Sequence, residues 1–531
     1  MKRKSDPESG LQKGRFWVVS CMMLGLLAGA MPAAEPEAAY IGSWVTPETK
    51  LDSLMRAEWQ ESGIRPAGPC SDAVFLRRVY LDLIGTLPEL RETRAFLQDK
   101  NPKKRAALID ALLERDEYAE YSAMRWCDVL RVKSEFPINL WPNAVQAYHR
   151  WVRDSFRQNM SYDDFARELL TSSGSNFRVP PVNFYRAVQG HEPESLARVV
   201  ALTFLCSNLD TWPSDRKQGM IGMFSRVGFK GTAEWKEEIV MFDPAVVDGM
   251  SGMLPDGTTK DIAADEDPRL VFAKWLTKEG GKEWFSRAMV NRTWAWLFSR
   301  GFVHEADDIR PENPPVHPAA FSYLAAEFAS GGFDVKALHR LIMNSRVYQQ
   351  SCVPRAPGAA ANFACYPVRR LDAEVLIDAL CQLTGTRERY MSPIPEPFTY
   401  IPEDQRTIAL ADGSITSAFL EMFGRPPRDT GRVSERNSKP SDAQSLHLLN
   451  STHVQRKIEK SWKLKALISQ RGRKPGELAH AIFMTVLSRP PTAHERKVVA
   501  GYFKTPGLRP KQVAEDVIWA LINSKEFLYQ H

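Results

Sequence analysis

The sequence predicts a mainly α fold: two helical domains with long Pro-rich loops and a small β-ribbon near their junction. Three observations lead there. Apolar residues recur at helical spacing wherever a pattern is clear. The chain has 531 residues, more than a single core usually holds, because cores stop growing at roughly 250–300 residues. Strand-like segments are confined mainly to residues 237–243 and 257–262. A hydrophobic content of 44% beside 25% charged residues supplies a packed core and excludes disordered and fibrous classes.

The elements follow in chain order. A basic stretch ending at Lys13 and Arg15, an apolar run from Phe16 to Met31, and Pro32-Ala33-Ala34 have the form of a signal peptide over 1–34. Two rivals are weaker. Val18-Val19-Ser20-Cys21 loosely matches a lipid-attachment motif, yet most of the apolar run lies after Cys21. An uncleaved anchor needs about 20 apolar residues, more than this run supplies. No later stretch is a candidate span. The expectation is an exported protein, periplasmic or on the cell surface, with a lipid anchor at Cys21 as the lesser variant.

A first helical domain is expected over 48–235. Its clearest helix runs from Lys104 to Arg115, where Leu108 and Leu112 stack beside Ile109 and Leu113. Residues 236–262 hold the strand signals around the turn-rich segment from Asp248 to Asp256, and read as the ribbon. A second helical domain is expected over 263–531. There the helix Phe285 to Phe298 is apolar on nearly every face and should be buried. Phe321, Leu324, Ala325 and Phe328 recur after Pro318, which suits a first helical turn. Asp334 then caps a helix carrying Val335, Leu338 and Ile342, making an antiparallel pair. Val513, Val517 and Leu521 mark a helix near the C-terminus. Stretches 354–367 and 391–417 read as long surface loops.

Charge and cysteine content narrow the partners. The formal net charge is +6, but Lys2, Arg3, Lys4, Lys13 and Arg15 against Asp6 and Glu8 place about half of it in the leader. No Lys/Arg stripe interleaved with aromatics follows, so nucleic acid is not expected as a partner. Cys70, Cys127, Cys206, Cys352, Cys365 and Cys381 show neither Cys-x-x-Cys nor zinc spacing. They are expected as buried small hydrophobes rather than disulfides, with Cys352 and Cys365 the first pair to test.

Several segments carry a resemblance. Phe75-Leu76-Arg77-Arg78-Val79-Tyr80-Leu81-Asp82-Leu83-Ile84-Gly85, the Ile109-Asp110-Ala111-Leu112-Leu113 helix and Arg125-Trp126-Cys127-Asp128 resemble the planctomycete cytochrome-C-associated domain of unknown function. Val290-Asn291-Arg292-Thr293-Trp294, Asp307-Asp308-Ile309-Arg310-Pro311, Asn313-Pro314-Pro315, His317-Pro318 and Phe423-Gly424-Arg425-Pro426-Pro427-Arg428 resemble its usual companion, a planctomycete-specific domain of unknown function. The resemblance implies export and frequent fusion to cytochrome c or sugar-binding modules. Many relatives carry Cys-x-x-Cys-His late in the first domain, where haem attachment needs both thiols and the His. Here that region reads Cys206-Ser207-Asn208-Leu209-Asp210-Thr211-Trp212-Pro213, with one Cys and no His. Haem c is therefore not expected, a haem-dependent redox role is disfavoured, no cofactor is predicted, and the sequence identifies no metal.

Two polar constellations remain. A buried Arg292 needs partners, because an unpaired buried guanidinium costs several kcal/mol, and Asp307 and Asp308 are nearest in sequence. The favoured reading is structural: the acidic pair staples the loop, with Arg310 and Asn313 tying its backbone. The alternative is a polar cleft in which Asp307, Asp308 and His317 do acid–base or metal-assisted work, with Arg292, Arg310 and Asn313 binding. The second constellation is Arg425, Arg428, Glu435 and Arg436, with Gln444 and His447. It reads first as a solvated or interdomain salt-bridge network, and second as a sulfate or carboxylate site. The loops Asn139-Leu140-Trp141-Pro142-Asn143 and Gly174-Ser175-Asn176-Phe177 have the composition for sugar stacking, though packing onto a helical core is the commoner fate of such loops. Two functions stay open: a noncatalytic binding or scaffold protein of the cell envelope, with envelope proteins or polysaccharide as partners, or a metal-assisted hydrolase or lyase acting on sugars.

Overall fold

The computed structural model describes residues 40–243, 245, 249–469 and 474–531. The expected signal peptide over 1–34 and Cys21 lie outside these described residues. The fold is mainly helical with small sheets, as the apolar periodicity predicts. The expected helices form as Lys104–Leu113, Lys282–Phe298, Pro318–Ser330, Val335–Met343 and Pro510–Ile522. The Asp334 carboxylate accepts from the Ala337 N–H at 2.9 Å, and the Phe333 N–H closes the preceding turn onto the Phe328 carbonyl at 3.0 Å, so local capping chemistry produces the helix pair.

The strand signals are found, but their pairing differs from a single ribbon. The strands are β1 (Gly174–Ser175), β2 (Val227–Gly231), β3 (Glu238–Phe242), β4 (Met250–Met253), β5 (Thr259–Ile262), β6 (Arg369–Arg370) and β7 (Tyr529–Gln530). β3 is the middle strand of an antiparallel sheet ordered β1-β3-β2, with Phe229 opposite Val240, whereas β5 pairs with β4, Gly252 opposite Lys260. The two expected segments thus belong to separate sheets. Each joins its nearest neighbour in sequence through a short turn, a less costly closure than pairing across the intervening segment. In the β4–β5 turn the Leu254 N–H donates to the Thr258 carbonyl at 2.8 Å, and Gly257 takes the left-handed φ of 89° that glycine adopts without strain.

Apolar packing divides at a different place from the change in sequence pattern. One core holds residues from Leu51 to Tyr366, among them Phe285, Trp294, Phe321 and Phe363, together with Ala411; it therefore spans residues 236–262 without a break. A second core holds Leu371, Leu376, Phe419, Ile482, Val517 and Phe527, together with Leu81, Leu87, Tyr121 and Met124 from the first half of the chain. The helix Asp72–Ile84, capped by Ser71, joins the two and is buried without interruption from Val74 onward. Its Arg77 donates to the Val486 and Phe527 carbonyls at 3.0 Å each, and Arg78 donates to the His531 carbonyl at 3.0 Å. Asp82 accepts from the Tyr348 and Tyr366 hydroxyls at 2.7 and 3.0 Å and from Arg369 at 2.5 Å. The pairing of β6 with β7 brings the last described residues onto the same helix.

The stretches expected as surface loops are irregular but partly interior. Phe363, Ala364 and Tyr366 in the first, and Ile408, Leu410 and Ile415 in the second, are buried. The apolar side chains of the first pack into the first core and those of the second into the second core; Gln350 donates to the Phe363 carbonyl, and Arg425 and Arg428 donate to the carbonyls of Ile415, Asp412 and Ala411. The six cysteines from Cys70 to Cys381 are free thiols, Cys352 and Cys365 included. No described helix is long and apolar enough to cross a membrane.

Candidate functional site

The helix Lys282–Phe298 is buried around its circumference, so its polar residues must find partners inside the protein. Asn291 donates to the carbonyls of Val303 and Ala306 at 3.2 and 3.0 Å and accepts from the Val303 N–H at 2.9 Å, folding the following loop back onto the helix. Arg292, 0% exposed, donates to the carbonyls of Thr203 and Leu202 at 2.7 and 3.1 Å. These belong to the last turn of the helix Pro193–Leu205, where a cation offsets the helix dipole. It also reaches Asp307 Oδ1 at 3.3 Å and lies over the Trp126 ring, 5.7 Å from its centroid, and Asp307 Oδ2 accepts from the Val433 N–H at 2.7 Å. Both oxygens of Asp307 are therefore engaged, one by the helix Lys282–Phe298 and one by the backbone at Val433.

The neighbouring residues of this constellation separate. Asp308 pairs with Arg310 at 3.2 Å, and Asn313 donates to the carbonyls of Asp308 and His304 at 3.0 and 3.1 Å, so these three fix the loop's own backbone at the surface. His317 turns elsewhere: Nδ1 lies 2.6 Å from Glu58 Oε2 and Nε2 lies 2.9 Å from the Asn362 carbonyl. Glu58 also accepts from the Ala319 N–H at 3.0 Å, so the pair caps the helix Pro318–Ser330. Asp307 and Arg292 come together as the sequence spacing suggests; His317 joins a different set.

Arg425, Arg428 and Arg436 do converge, on carboxylates of both halves. Arg428 and Arg436 bind opposite oxygens of Asp128 at 2.9 and 2.6 Å. Arg436 also reaches Glu374 at 2.6 Å and Asp372 at 3.7 Å, Arg125 binds Asp372 at 2.6 Å, and Arg425 stands 3.6 Å from Glu374. Carbonyls of Val132 and Ala411 take the remaining contacts of Arg428, at 3.3 and 2.8 Å, and Arg425 donates to the carbonyls of Ile415 and Asp412. Burial raises the Asp372 carboxyl, but Arg125 and Arg436 outweigh it and hold the group at about 2. Arg425, pushed the other way by burial and by Arg428, falls to about 10. Glu435 stands apart, accepting from the backbone N–H groups of Asp429 and Thr430 at 2.8 and 3.3 Å.

The acidic partners Asp128, Asp372 and Glu374, with Arg125, are what the sequence reading did not assign to this cluster. The available signal was burial: a carboxylate on the helix Asp116–Val129, flanked by interior residues on every side, requires a cation. A neighbouring set is also anchored here. Lys133 pairs with Asp429 at 2.6 Å, and Ser134 binds the Asp412 carboxylate through its N–H at 3.0 Å and its hydroxyl.

Beside this seam lies a solvent-open cavity of about 400 Å³, lined by Pro137, Ile138, Asn139, Arg186, Gln189, His191, Glu192 and Lys236 among others. Gln189 donates to the Asp429 carbonyl at 3.3 Å, which ties the cavity wall to the loop after Arg428. His191 stacks on Phe229 with centroids 3.8 Å apart, and Arg186 pairs with Glu238. Gly190 holds φ 112°, and a Cβ there would meet the Glu192 carboxylate at 2.5 Å. Of the two loops with sugar-binding composition, the first contributes Asn139 to this cavity. The second does not: Gly174 and Ser175 form β1, and buried Asn176 exchanges hydrogen bonds with the Glu238 backbone at 3.0 Å. Next in sequence to lining residues stand two exposed rings, Phe136 at 76% and Trp235 at 70%.

Cys206, the one cysteine in the segment Cys206 to Pro213, ends the helix Pro193–Leu205 with φ 48°. Burial pushes its thiol up to about 12. No set of three or more His, Cys, Asp or Glu side chains is placed to hold a metal ion among the described residues.

Comparison with known families gives two matches. Residues 50–209 match PSCyt2, described as a protein of unknown function (DUF1549), and residues 268–503 match PSD1, described as a protein of unknown function (DUF1553). Neither the curated proteins nor the solved structures provide a match. The matched segments lie on either side of β2 to β5, cover the helix Asp72–Ile84 and the Arg292–Asp307 staple respectively, and meet at the arginine–carboxylate seam. The chain belongs to the planctomycete two-domain family in which a PSCyt2 domain precedes a PSD1 domain.

Proposed function

We propose that this is a noncatalytic binding protein of the cell envelope whose ligand is a polysaccharide, taken up by the cavity between residues 137–139, 186–192 and 236. One observation carries the reading: the cavity combines amide, imidazole, carboxylate and cationic groups, and the exposed rings of Phe136 and Trp235 belong to the residues that precede its lining residues Pro137 and Lys236 in the chain. Sugars present hydroxyls to polar groups and flat C–H faces to aromatic rings. Large apolar rings exposed next to a polar concavity match that chemistry. The cavity is held by the fold, through Gln189, Gly190 and the Arg186–Glu238 pair, so ligand binding requires little ordering.

The polar constellation around Asp307 supports the same reading by what it is already doing. Asp307 and His317 have each of their side-chain polar atoms engaged by the protein, which is the arrangement of a staple and a cap rather than of groups waiting for a substrate. The test is retention on a printed glycan array and on a panel of insoluble polysaccharides. Binding by the wild-type protein, weakened at least tenfold in Trp235→Ala and Phe136→Ala with unchanged melting temperature, supports the proposal. Absence of retention on every polysaccharide, or retention indifferent to both substitutions, overturns it.

A further inference from the structure

The helices Asp442–Asn450 and Thr452–Lys460 are separated by Ser451 alone, which ends one and caps the other. His447 stands in the last turn of the first and His453 in the first turn of the second. His447 Nε2 and His453 Nδ1 face each other at 3.4 Å. The far nitrogen of His453, Nε2, lies 2.9 Å from the Glu388 carboxylate. That carboxylate oxygen also binds the Lys457 ammonium at 2.9 Å. An acceptor on Nε2 places the His453 proton there and leaves Nδ1 as a bare lone pair aimed at His447. The Phe419 ring meets both imidazoles edge-on, with centroids 5.8 and 5.9 Å away, and limits their rotation.

We propose that His447 and His453 form a binding site for a borderline divalent transition-metal ion such as Zn²⁺ or Cu²⁺, with solvent or a ligand completing its coordination. The separation fits. Metal–nitrogen bonds of about 2.0–2.1 Å in a tetrahedral sphere put neighbouring ligand nitrogens about 3.3–3.4 Å apart. The support fits as well: a carboxylate holding the far nitrogen of a ligating histidine fixes its tautomer and orientation and raises its basicity. Lys457, beside the pair, is turned to Glu388, Cys381 and the Arg387 carbonyl, at 2.9, 3.3 and 2.8 Å. Two imidazoles select borderline ions over Mg²⁺ or Ca²⁺, with Cu²⁺ bound more tightly than Zn²⁺ or Ni²⁺. The inference is independent of the carbohydrate reading, because the cavity shares no residue with this site.

The experiment is calorimetric titration of the full-length protein, freed of metal with chelator, with Cu²⁺, Zn²⁺ and Mg²⁺ in turn. One equivalent of Cu²⁺ and of Zn²⁺ should bind and Mg²⁺ should not. The copper-loaded protein should show nitrogen hyperfine structure in its electron paramagnetic resonance spectrum. His447→Gln and His453→Gln should each weaken binding at least tenfold, and Glu388→Gln, which keeps both ligands, about 10–100-fold. Far-UV circular dichroism of each variant separates lost ligation from lost folding, and His447→Gln, which leaves the His453–Glu388 contact in place, is the decisive variant. Equal binding by wild type and the His447→Gln/His453→Gln double variant, or no stoichiometric binding of either ion to the folded wild type, overturns the proposal.

Discussion

Asp128 illustrates how single residues hold this protein together. Its two carboxylate oxygens are bound by Arg428 and Arg436 from the opposite half of the chain. Burial works against its charged form, but the two guanidiniums prevail and lower its pKa. Removing one partner of such a pair leaves a charge in the interior, which costs about 3–5 kcal/mol. Arg428→Met should therefore lower unfolding stability by roughly that amount in urea titration, whereas Arg310→Met, on the exposed loop, should change it by less than about 1 kcal/mol. His149 supplies a second residue-scale prediction. Burial, then Arg428 and Arg153, depress its pKa from 6.5 to about 3, and its Nε2 makes no hydrogen bond among the described residues. Below pH 6.5 the unfolded chain takes up a proton here that the folded one refuses. This contribution is complete above about pH 6.5 and is lost as pH falls toward 3, by at most about 1.4 kcal/mol per pH unit. Melting temperatures measured from pH 7 to pH 4 should fall less steeply in His149→Gln than in wild type.

Helix Lys282–Phe298 shows the same logic at the scale of an element. Its buried face leaves Asn291 to hold the returning loop through Val303 and Ala306, and Gly301 is where that loop passes closest. A Cβ on Gly301 would meet Asn291 Oδ1 and the Val303 carbonyl, each at 2.5 Å. Backbone cannot yield as a flexible side chain does. Gly301→Ala should therefore destabilise the protein by about 1–3 kcal/mol, the range for overpacking a filled site. Asn291→Leu, which orphans the Val303 N–H and the Ala306 carbonyl, should cost a similar about 1–3 kcal/mol. The check is chemical denaturation of both variants and of their double mutant. The costs should combine less than additively, since each change breaks the same contact.

At the scale of the whole molecule, the two family segments and the two cores do not coincide. PSD1 residues 268–366 pack into the core begun by PSCyt2, and the helix Asp72–Ile84 carries side chains into both. A fragment of residues 40–262 would expose the surface normally covered by Phe285, Trp294, Phe321 and Phe363, so it should lack cooperative unfolding and near-UV circular dichroism. A fragment of residues 40–366 should recover both in part. If 40–262 melted cooperatively at the temperature of the full chain, the shared core would not be the source of its stability. The seam also explains how the cavity is held, since Gln189 binds the loop that Arg428 and Glu435 shape from the other half.

Much of the secondary structure was legible because it rests on neighbours in sequence. Pro318 and Asp334 announce their helices, the apolar faces of Lys104–Leu113 and Pro510–Ile522 repeat at helical spacing, and the motifs around Arg292 and Arg425 suffice to name the family. Sequence alone also established that Arg292 must be paired, because a buried guanidinium has few affordable surroundings. Which partner each charge takes was a different matter. Asp128 reaches Arg436 across 308 residues of chain, His317 prefers Glu58 to the nearby Asp307, and β3 chooses β2 over β5, because contacts in a folded chain depend on three-dimensional proximity and not on sequence distance. The sequence by itself determined a helical two-domain chain with charges that demand burial partners; the tertiary structure alone decided where the cores divide, which ions meet in the seam, and where a cavity was left open.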